Sequence, residues 1–399
     1  MGERRRVLIS AAACGPCEEP EASAGWAFAK AAAENHDVWV ITRPRFRAEM
    51  DADLAAHPEL QGHLEVVHLD LPPWVQRLRR RSWDLYWYYA LWQWALARVA
   101  RRLHRRVGFD VAHHITFAND WLPCGLNRLR DVPIVWGPVG GASTFSFWRM
   151  RRWLGRRGLV GEVLRTMLTG APRRLWGDPV ARRAAVVVAQ NPDVATRFDF
   201  ARRVVVEPNA VMDSPAEVAV PHEVGEGEPR TAVFVGRLIG WKGARLAVAT
   251  MAHPGAAGWR LRVYGEGYDR EGLEQWVAQH GLSDRVEFMG HRPRAEVLAA
   301  YRSADAMLFP SMHDQAGWVV AEASSVGCPV VCLPLGGPPV LAGPNGFVAS
   351  LEGDVVANLA EQLDAAGRSG GTPHTRWDRA RLPALVDAWY AEALTAAAE

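Results

Sequence analysis

Two segments in the second half of the chain bring together residue types that bind anions. Residues 235–243, Val-Gly-Arg-Leu-Ile-Gly-Trp-Lys-Gly, follow a predicted strand and precede a predicted helix, so Arg237 and Lys242 share one glycine-containing loop. A planar arginine fork and a compact lysine charge suit a diphosphate. Lys242 is notable because it is one of only two lysines in the chain.

The second segment, 310–323, runs from the end of a predicted strand through a glycine turn into a predicted helix. The backbone amides of Gly317, Trp318 and Val319 at the start of this helix predict an anion site. Glu322 falls in the first turns of the same helix, where its two oxygens can accept hydrogen bonds from a ribose diol. The two segments together predict a nucleoside diphosphate ligand.

The elements that position these loops alternate between short apolar runs and longer helical segments, which is typical of parallel α/β units. Strands are predicted at 6–10, 37–42, 111–114, 133–136, 184–189, 204–207, 231–236, 260–264, 286–289, 306–309 and 329–333. The segment 216–229, rich in proline, glycine and acidic residues, predicts a linker. Ligands of such sheets bind beyond the carboxyl ends of the strands, where both loops lie.

We therefore predict an α/β protein with two Rossmann-like lobes that face each other across a cleft. The predicted domains are 1–215, which would hold an acceptor, and 216–375, which would hold the nucleotide ligand. The closing segment, 376–399, is predicted to form a helix that packs back on the first domain.

The order of the motifs in the second domain resembles that of the GT-B glycosyltransferases of family GT4, which are retaining enzymes that use nucleotide sugars. The resemblance covers roughly 204–345 and includes Tyr-Gly-Glu-Gly at 264–267, Val-Glu-Phe-Met-Gly at 286–290 and the block 310–323. The first domain is similar more loosely, at Gly25-Trp26, Asp-Val-Ala-His-His at 110–114 and Gly-Pro-Val-Gly-Gly at 137–141.

The resemblance implies roles for further residues. It places Asp314 beside the transferred sugar, and it makes Gly25 the point where a loop of the first domain approaches the sugar or the diphosphate. His113 would contact the sugar near the reacting carbon, with His114 as the alternative. A histidine that is buried and satisfied by the backbone is the structural alternative for both. The resemblance also places Gly140 and Gly141 on the acceptor side.

Two departures from the family pattern bear on the site. Asp314 stands where the family usually has glutamate, so its carboxylate is one methylene shorter. Asn209-Ala210 stands where the family usually has Asn-Gly.

The function implied is transfer of a hexose-type sugar from a nucleoside diphosphate to an acceptor hydroxyl with retention of configuration. The acceptor is a small metabolite, a cell-envelope glycan or a lipid-linked carrier. No cofactor or divalent metal is expected, because Arg237, Lys242 and the helix-start amides would stabilise the leaving diphosphate. The alternatives are a non-catalytic nucleotide-sugar-binding protein on the same scaffold and a nucleotide-sugar epimerase.

Composition limits the partners. A formal net charge of +2 from 46 basic and 44 acidic residues argues against a protein built to hold nucleic acid. Five cysteines in 399 residues do not form a disulfide framework and favour the reducing cytoplasm. The Asp-Ala-Asp sequence at 51–53 resembles a metal-binding motif, but it lies in a polar segment that predicts a solvated loop or helix start.

Two stretches combine arginines with aromatic residues. Residues 76–107 contain nine arginines against Asp84, and residues 144–176 contain eight arginines against Glu162. They would lie on anionic lipid at the inner face of the membrane, bind an anionic acceptor, or be ordinary amphipathic helices with arginines in solvent. The sequence leaves these three interpretations open.

Overall fold

The computed structural model describes residues 4–81, 83–142, 148–215, 217–218 and 228–398. The chain divides into two compact units. The first unit comprises Met1–Ala142, Leu168–Val211 and Arg379–Glu399, and the second comprises Ser143–Met167 and Met212–Asp378.

All strands of the described residues belong to two parallel sheets, one in each unit. The strands are β1 (Arg6–Ala11), β2 (Asp37–Thr42), β3 (Leu64–His68), β4 (Val111–Thr116), β5 (Ile134–Val139), β6 (Val186–Ala189), β7 (Val204–Val206), β8 (Arg230–Val235), β9 (Trp259–Tyr264), β10 (Val286–Gly290), β11 (Ala306–Phe309), β12 (Val330–Cys332) and β13 (Gly346–Val348).

Helices connect the strands, as parallel sheets require. The helices are α1 (Pro20–Asn35), α2 (Arg47–Ala56), α3 (Pro73–Gln76), α4 (Asp84–Val107), α5 (Arg151–Pro172), α6 (Asp178–Arg183), α7 (Pro192–Arg197), α8 (Ala244–Ala252), α9 (Arg270–Gln279), α10 (Arg294–Ser303), α11 (Trp318–Ser325), α12 (Pro338–Ala342), α13 (Val355–Ser369) and α14 (Leu382–Ala398).

The sheet of the first unit has the order β3-β2-β1-β4-β5-β6-β7. Its central strands β4, β5 and β6 are buried along their whole length, which explains their continuous runs of apolar residues. Helix α4 buries Tyr88, Tyr89, Trp92 and Leu96 against this core. The helix ends at Gly108, whose left-handed backbone (φ 71°) donates a hydrogen bond to the His104 carbonyl.

The C-terminal helix α14 belongs to the first unit, as predicted. It packs along α1, where the Trp389 ring stacks on Phe28 with centroids 5.9 Å apart. Tyr390 and Val386 are fully buried on the same helix. The last residues of the chain therefore complete the core that its first helix begins.

The sheet of the second unit has the order β10-β9-β8-β11-β12-β13. From β8 the chain adds β9 and β10 on one side, and it then returns to place β11 on the other side of β8. The strand order thus reverses between β8 and β11. At such a switch point the loops that leave the two neighbouring strands diverge and open a ligand crevice at the carboxyl edge.

The predicted fold class is confirmed in both units, and two strands were not predicted. These are β3 and β13, which lie at the edges of their sheets. Each pairs with a neighbour on one side only, and neither is fully buried. Edge position alone does not explain this, because β7 and β10 at the opposite edges were predicted. The apolar run of β3 is interrupted by Glu65, and β13 is only three residues long and begins with a glycine.

The structure divides the chain differently from the predicted boundary at residue 215. It places Ser143–Met167 in the second unit, because α5 packs there. A Cβ on Gly240 would lie 2.1 Å from the Leu154 carbonyl oxygen, so the start of α5 lies directly on the backbone of the 235–243 loop. Most of the predicted linker 216–229 lies outside the described residues.

Candidate functional site

The two motif loops leave the neighbouring strands β8 and β11, at the switch point of the second sheet. They are joined by hydrogen bonds to one carbonyl: the Met312 N–H donates to the Trp241 oxygen at 2.8 Å, and the Ser311 hydroxyl donates to the same oxygen at 3.3 Å. The residues that the sequence singled out on separate segments thus form one structural site.

Glycines permit this close approach. Gly243 has φ 82°, and a Cβ there would lie 2.0 Å from the Pro310 carbonyl oxygen, so only glycine lets the two loops touch. Gly317 also has a left-handed backbone, with φ 84°, at the residue that precedes α11. Trp318 and Val319 follow it as the first two residues of that helix, so all three predicted amides lie at the helix start.

Lys242 and Asp314 form an ion pair across the two loops. Both side chains are largely buried, with exposed fractions of 19% and 13%. The lysine ammonium also lies 5.8 Å from the centroid of the Phe309 ring. Because both side chains are largely buried, removing either one would leave the other without its partner in a poorly solvated place.

The other two predicted donor-site residues lie at the ends of the same elements. Arg237 follows β8 and is exposed, and in the described part of the chain its guanidinium pairs with no carboxylate. Glu322 is only 14% exposed on α11 and accepts a hydrogen bond from Arg294 Nε at 2.8 Å. Arg294, at the start of α10, was not predicted, because a single arginine is inconspicuous in a chain with 46 basic residues.

A buried carboxylate from α5 also reaches this site. Glu162 Oε2 lies 3.6 Å from His313 Nδ1, and it accepts hydrogen bonds from Arg165 Nε and Nη2 at 3.0 and 2.7 Å. Burial alone would raise the pKa of Glu162, but the contacts with His313 and Arg165 lower it below its ordinary value. His313 directly precedes Asp314 in the chain. The Gln315 side chain lies 3.1 Å from His313 Nε2.

The role of Glu162 was missed because it comes from outside both motifs. One signal was present in the sequence: Glu162 is the only acidic residue among eight arginines in 144–176. A lone carboxylate in such a segment has many cations to pair with. Arg165 is its neighbour three residues along α5, but only the packing of α5 brings His313 to it.

The two predicted histidines lie in the core of the first unit. His113 is fully buried; its Nδ1 accepts from the Tyr390 hydroxyl at 2.9 Å, and its Nε2 donates to the Gly137 carbonyl at 3.0 Å. Burial lowers the pKa of His113 to about 4. Both ring nitrogens are hydrogen-bonded within the core, as in the structural alternative for this residue. The contact of His113 with a sugar stays a prediction.

His114 points to the opposite face of β4 and is also buried. Its Nδ1 lies 3.0 Å from the Ser10 hydroxyl, and its Nε2 lies 3.2 Å from the Tyr89 hydroxyl. Burial, together with the neighbouring His113, lowers the pKa of His114 to about 3. Both histidines are therefore buried and hydrogen-bonded in the core, which is the structural alternative considered for them.

The predicted glycines of the first unit lie where loops meet at the carboxyl edge of its sheet. A Cβ on Gly25 would lie 2.5 Å from the Ala13 carbonyl oxygen, so α1 contacts the loop after β1 through this glycine. Gly140 pairs with Asn119, and Gly141 (φ 96°) lies against the side chains of Asn119 and Asp120. These glycines shape the loops at the edge where ligands of parallel sheets bind.

The Asp-Ala-Asp sequence lies within α2. Asp53 accepts hydrogen bonds from Lys30 Nζ at 2.9 Å and from Trp26 Nε1 at 2.7 Å, so it ties α2 to α1. Among the residues that the structure describes, no three His, Cys, Asp or Glu side chains form a cluster able to hold a metal ion.

Comparison with known proteins assigns part of the second unit to a family. Residues 221–373 match the family model described as Glycosyl transferases group 1. This segment is a group 1 glycosyltransferase segment. It contains the two loops, Arg237, the Lys242–Asp314 pair and Glu322, so the candidate site lies in the part of the chain that matches the family.

Curated relatives support the assignment. The chain is 34% identical over 201 residues to 2-deoxystreptamine glucosyltransferase of Streptomyces kanamyceticus, a match that covers 45% of this chain and 50% of that enzyme. It is 27% identical over 331 residues to glycogen synthase of Mycobacterium tuberculosis, covering 77% of this chain and 72% of that enzyme. The chain thus matches half the length of the first of these relatives.

A solved structure supports the fold. The Anabaena protein HepE in complex with UDP-glucose superposes with a TM-score of 0.56 at 16% identity, covering 97% of this chain and all of that one. At this level of identity the likeness shows a common fold. The match extends over both units, whereas the family model covers only part of the second.

Proposed function

We propose that this protein transfers a hexose from a nucleoside-diphosphate sugar to a hydroxyl group of an acceptor, with retention of configuration. The observation that carries the proposal is the Lys242–Asp314 pair at the switch point of the second sheet. It holds a cation and a carboxylate between two loops that leave neighbouring strands. One group suits a diphosphate and the other suits sugar hydroxyls.

The chemistry follows from where charge develops. When the bond between the anomeric carbon and the diphosphate oxygen breaks, negative charge grows on the departing diphosphate. Arg237, Lys242 and the amides of Gly317, Trp318 and Val319 would stabilise that charge more strongly in the transition state than in the ground state. The acceptor oxygen then bonds to the anomeric carbon on the face that the diphosphate leaves, and its proton passes to a phosphate oxygen.

We also propose that Glu322 binds the ribose of the nucleotide. Arg294 occupies one of its oxygens at 2.8 Å and fixes the carboxylate, which leaves accepting capacity for a diol. Since Arg237 and Lys242 would neutralise the diphosphate, the proposal requires no divalent metal. Addition of EDTA is therefore expected to leave the transfer rate unchanged.

The test is a screen of the purified protein with UDP-, GDP-, ADP- and dTDP-glucose, with and without EDTA. Thermal stabilisation measures binding, and mass spectrometry measures release of the free nucleoside diphosphate. UDP-glucose is the first donor to test, because the Anabaena HepE structure contains it. We expect stabilisation and slow metal-independent hydrolysis with one donor. Stabilisation without transfer or hydrolysis, across all acceptor classes tested, would instead favour a non-catalytic binding protein.

The acceptor hydroxyl is proposed to belong to a small metabolite, a cell-envelope glycan or a lipid-linked carrier. We propose that the protein acts in the cytoplasm and that any contact with the inner face of the membrane is peripheral. All five cysteines are unpaired, which suits a reducing compartment. No helix of the described residues is both long and apolar enough to cross a membrane.

A further inference from the structure

The first unit carries a strongly basic cavity that the proposed reaction does not use. The cavity measures about 650 Å³, and arginines form most of its wall, with Asp131 as the only carboxylate. Four of these arginines come from the C-terminal half of α4, and two come from the segment before β5: Arg98, Arg101, Arg102, Arg105, Arg128 and Arg130.

The charge of this cavity is not neutralised within the protein. All six arginines are exposed, and none of them forms an ion pair with a carboxylate anywhere in the described residues. Clustered like charges repel one another unless counterions gather around them. The cavity therefore attracts anions, and an anion that bridges several guanidinium groups gains the most.

An apolar groove adjoins the basic cavity. It measures about 330 Å³ and shares Arg128 with the cavity. Three of its lining side chains are unusually exposed for their size: Leu175 at 69%, Trp94 at 50% and Trp176 at 40%. The Arg98 guanidinium lies over the Trp94 ring and joins the two regions. We call the basic cavity and this groove together the basic-apolar surface.

The position of the basic-apolar surface argues against acceptor binding. The C-terminal half of α4 leads into the start of β4, and the segment 129–133 leads into the start of β5. The arginines therefore lie toward the amino ends of the strands. Ligands of parallel sheets bind at the carboxyl ends, which is also where Gly25, Gly140 and Gly141 lie.

We propose that the basic-apolar surface docks on an anionic phospholipid bilayer. The six guanidinium groups bind lipid phosphates, and Trp94, Leu175 and Trp176 insert at the level of the headgroups. The negative surface potential of an anionic membrane attracts each arginine near it, and aromatic side chains favour the interface. A surface of arginines alone would suit a soluble polyanion equally well; the adjoining exposed apolar side chains favour lipid. This inference is independent of the proposed transfer reaction.

The test is co-sedimentation with vesicles of phosphatidylcholine alone and with 30% phosphatidylglycerol, at low and high salt. We expect binding only to the anionic vesicles, weakened at least tenfold by high salt. An Arg101→Glu/Arg105→Glu variant should lose at least tenfold in affinity. An Arg47→Glu/Arg260→Glu variant, matched in charge but altered on other exposed surfaces, should bind like the wild type.

Further variants separate lipid from other anions. Trp94→Ser/Leu175→Ser leaves the charge unchanged and should also weaken vesicle binding. Arg128→Gln/Arg130→Gln provides a second test of charge if the glutamate variant does not fold, as judged by circular dichroism. Equal binding to neutral and anionic vesicles, no binding to either, or arginine-dependent binding only to a DNA duplex or to inorganic phosphate would each overturn the proposal.

Discussion

Glu162 Oε2 lies 3.6 Å from His313 Nδ1, and this contact joins α5 to the loop that carries Asp314. Both side chains are largely buried, with exposed fractions of 5% for Glu162 and 13% for His313. The loop is thus held from two sides, by Lys242 through Asp314 and by Glu162 through His313. These two contacts hold Asp314 in position. A binding group must be held within a fraction of an ångström, so such supporting contacts matter for binding.

The first prediction concerns this support. Glu162→Gln keeps the shape of the side chain but removes the charge that faces His313 and Arg165. We expect a loss of about 1–3 kcal/mol in the free energy of unfolding, the range for a buried hydrogen bond to a charged group. We also expect kcat/KM to fall roughly tenfold to a hundredfold, because the Asp314 loop loses its position.

Glu352→Gln is the matched control, because Glu352 is an exposed carboxylate of the same unit. It should leave both the melting temperature and kcat/KM unchanged. If Glu162→Gln lowers stability but leaves kcat/KM at the wild-type value, Glu162 has a structural role only.

The second prediction separates the two members of the Lys242–Asp314 pair. Lys242→Ala should weaken binding of the nucleoside diphosphate about tenfold to a hundredfold, which corresponds to a charge-assisted hydrogen bond of about 1.5–3 kcal/mol. Asp314→Ala should keep nucleotide binding and lose transfer. Isothermal titration with UDP and a transfer assay measure the two effects. Identical losses in both variants would mean that the pair acts only as a structural link between the loops.

The third prediction concerns Arg237, which is exposed and has no carboxylate partner in the described residues. Arg237→Ala should weaken UDP binding about tenfold and leave the melting temperature of the free protein unchanged. Arg260→Ala, an exposed arginine on β9, is the control and should change neither quantity. Wild-type affinity in the Arg237 variant would remove this residue from the site.

The fourth prediction follows from the burial of His113. Tyr390→Phe removes the hydroxyl that lies 2.9 Å from His113 Nδ1 and leaves a buried acceptor without its donor. We expect a loss of about 1–3 kcal/mol in stability with no change in kcat at a temperature where the variant is folded. A large fall in kcat without loss of stability would restore a catalytic role for His113.

The fifth prediction is a pH dependence of stability. Burial raises the pKa of Glu21 to about 7, although the hydrogen bond from Asn209 acts in the opposite direction. The folded protein therefore keeps a proton that the unfolded chain releases near pH 4.5. Stability from this group is complete below that pH and is lost as the pH rises through 7.

Glu21→Gln should remove this slope. Melting temperatures of both proteins are measured from pH 4.5 to 8. The value for the wild type minus that for the variant should fall as the pH rises. The histidines contribute equally to both proteins and cancel in the difference. A constant difference across this range would show that Glu21 titrates at its ordinary pKa.

Much of the fold was predictable because its signals are local. The central strands are buried on both faces, so their apolar runs stand out. The two strands that were not predicted have weaker runs: β3 is interrupted by Glu65, and β13 is three residues long and begins with a glycine. Arg237, Lys242, Gly317 and Glu322 could be chosen as candidates because they lie in, or just after, glycine-containing loops that follow strands.

By itself, the sequence determined two parallel α/β units, a C-terminal helix that returns to the first, and the loops that follow β8 and β11. Tertiary structure alone decided which side chains meet. The Tyr390 hydroxyl contacts His113 although the two residues are 277 positions apart in the sequence. Lys242 contacts Asp314 although they are 72 positions apart. Hydrophobic periodicity depends on neighbours within a few residues. Whether a histidine is buried or a lone glutamate reaches a site depends on packing between distant segments, which no local pattern records.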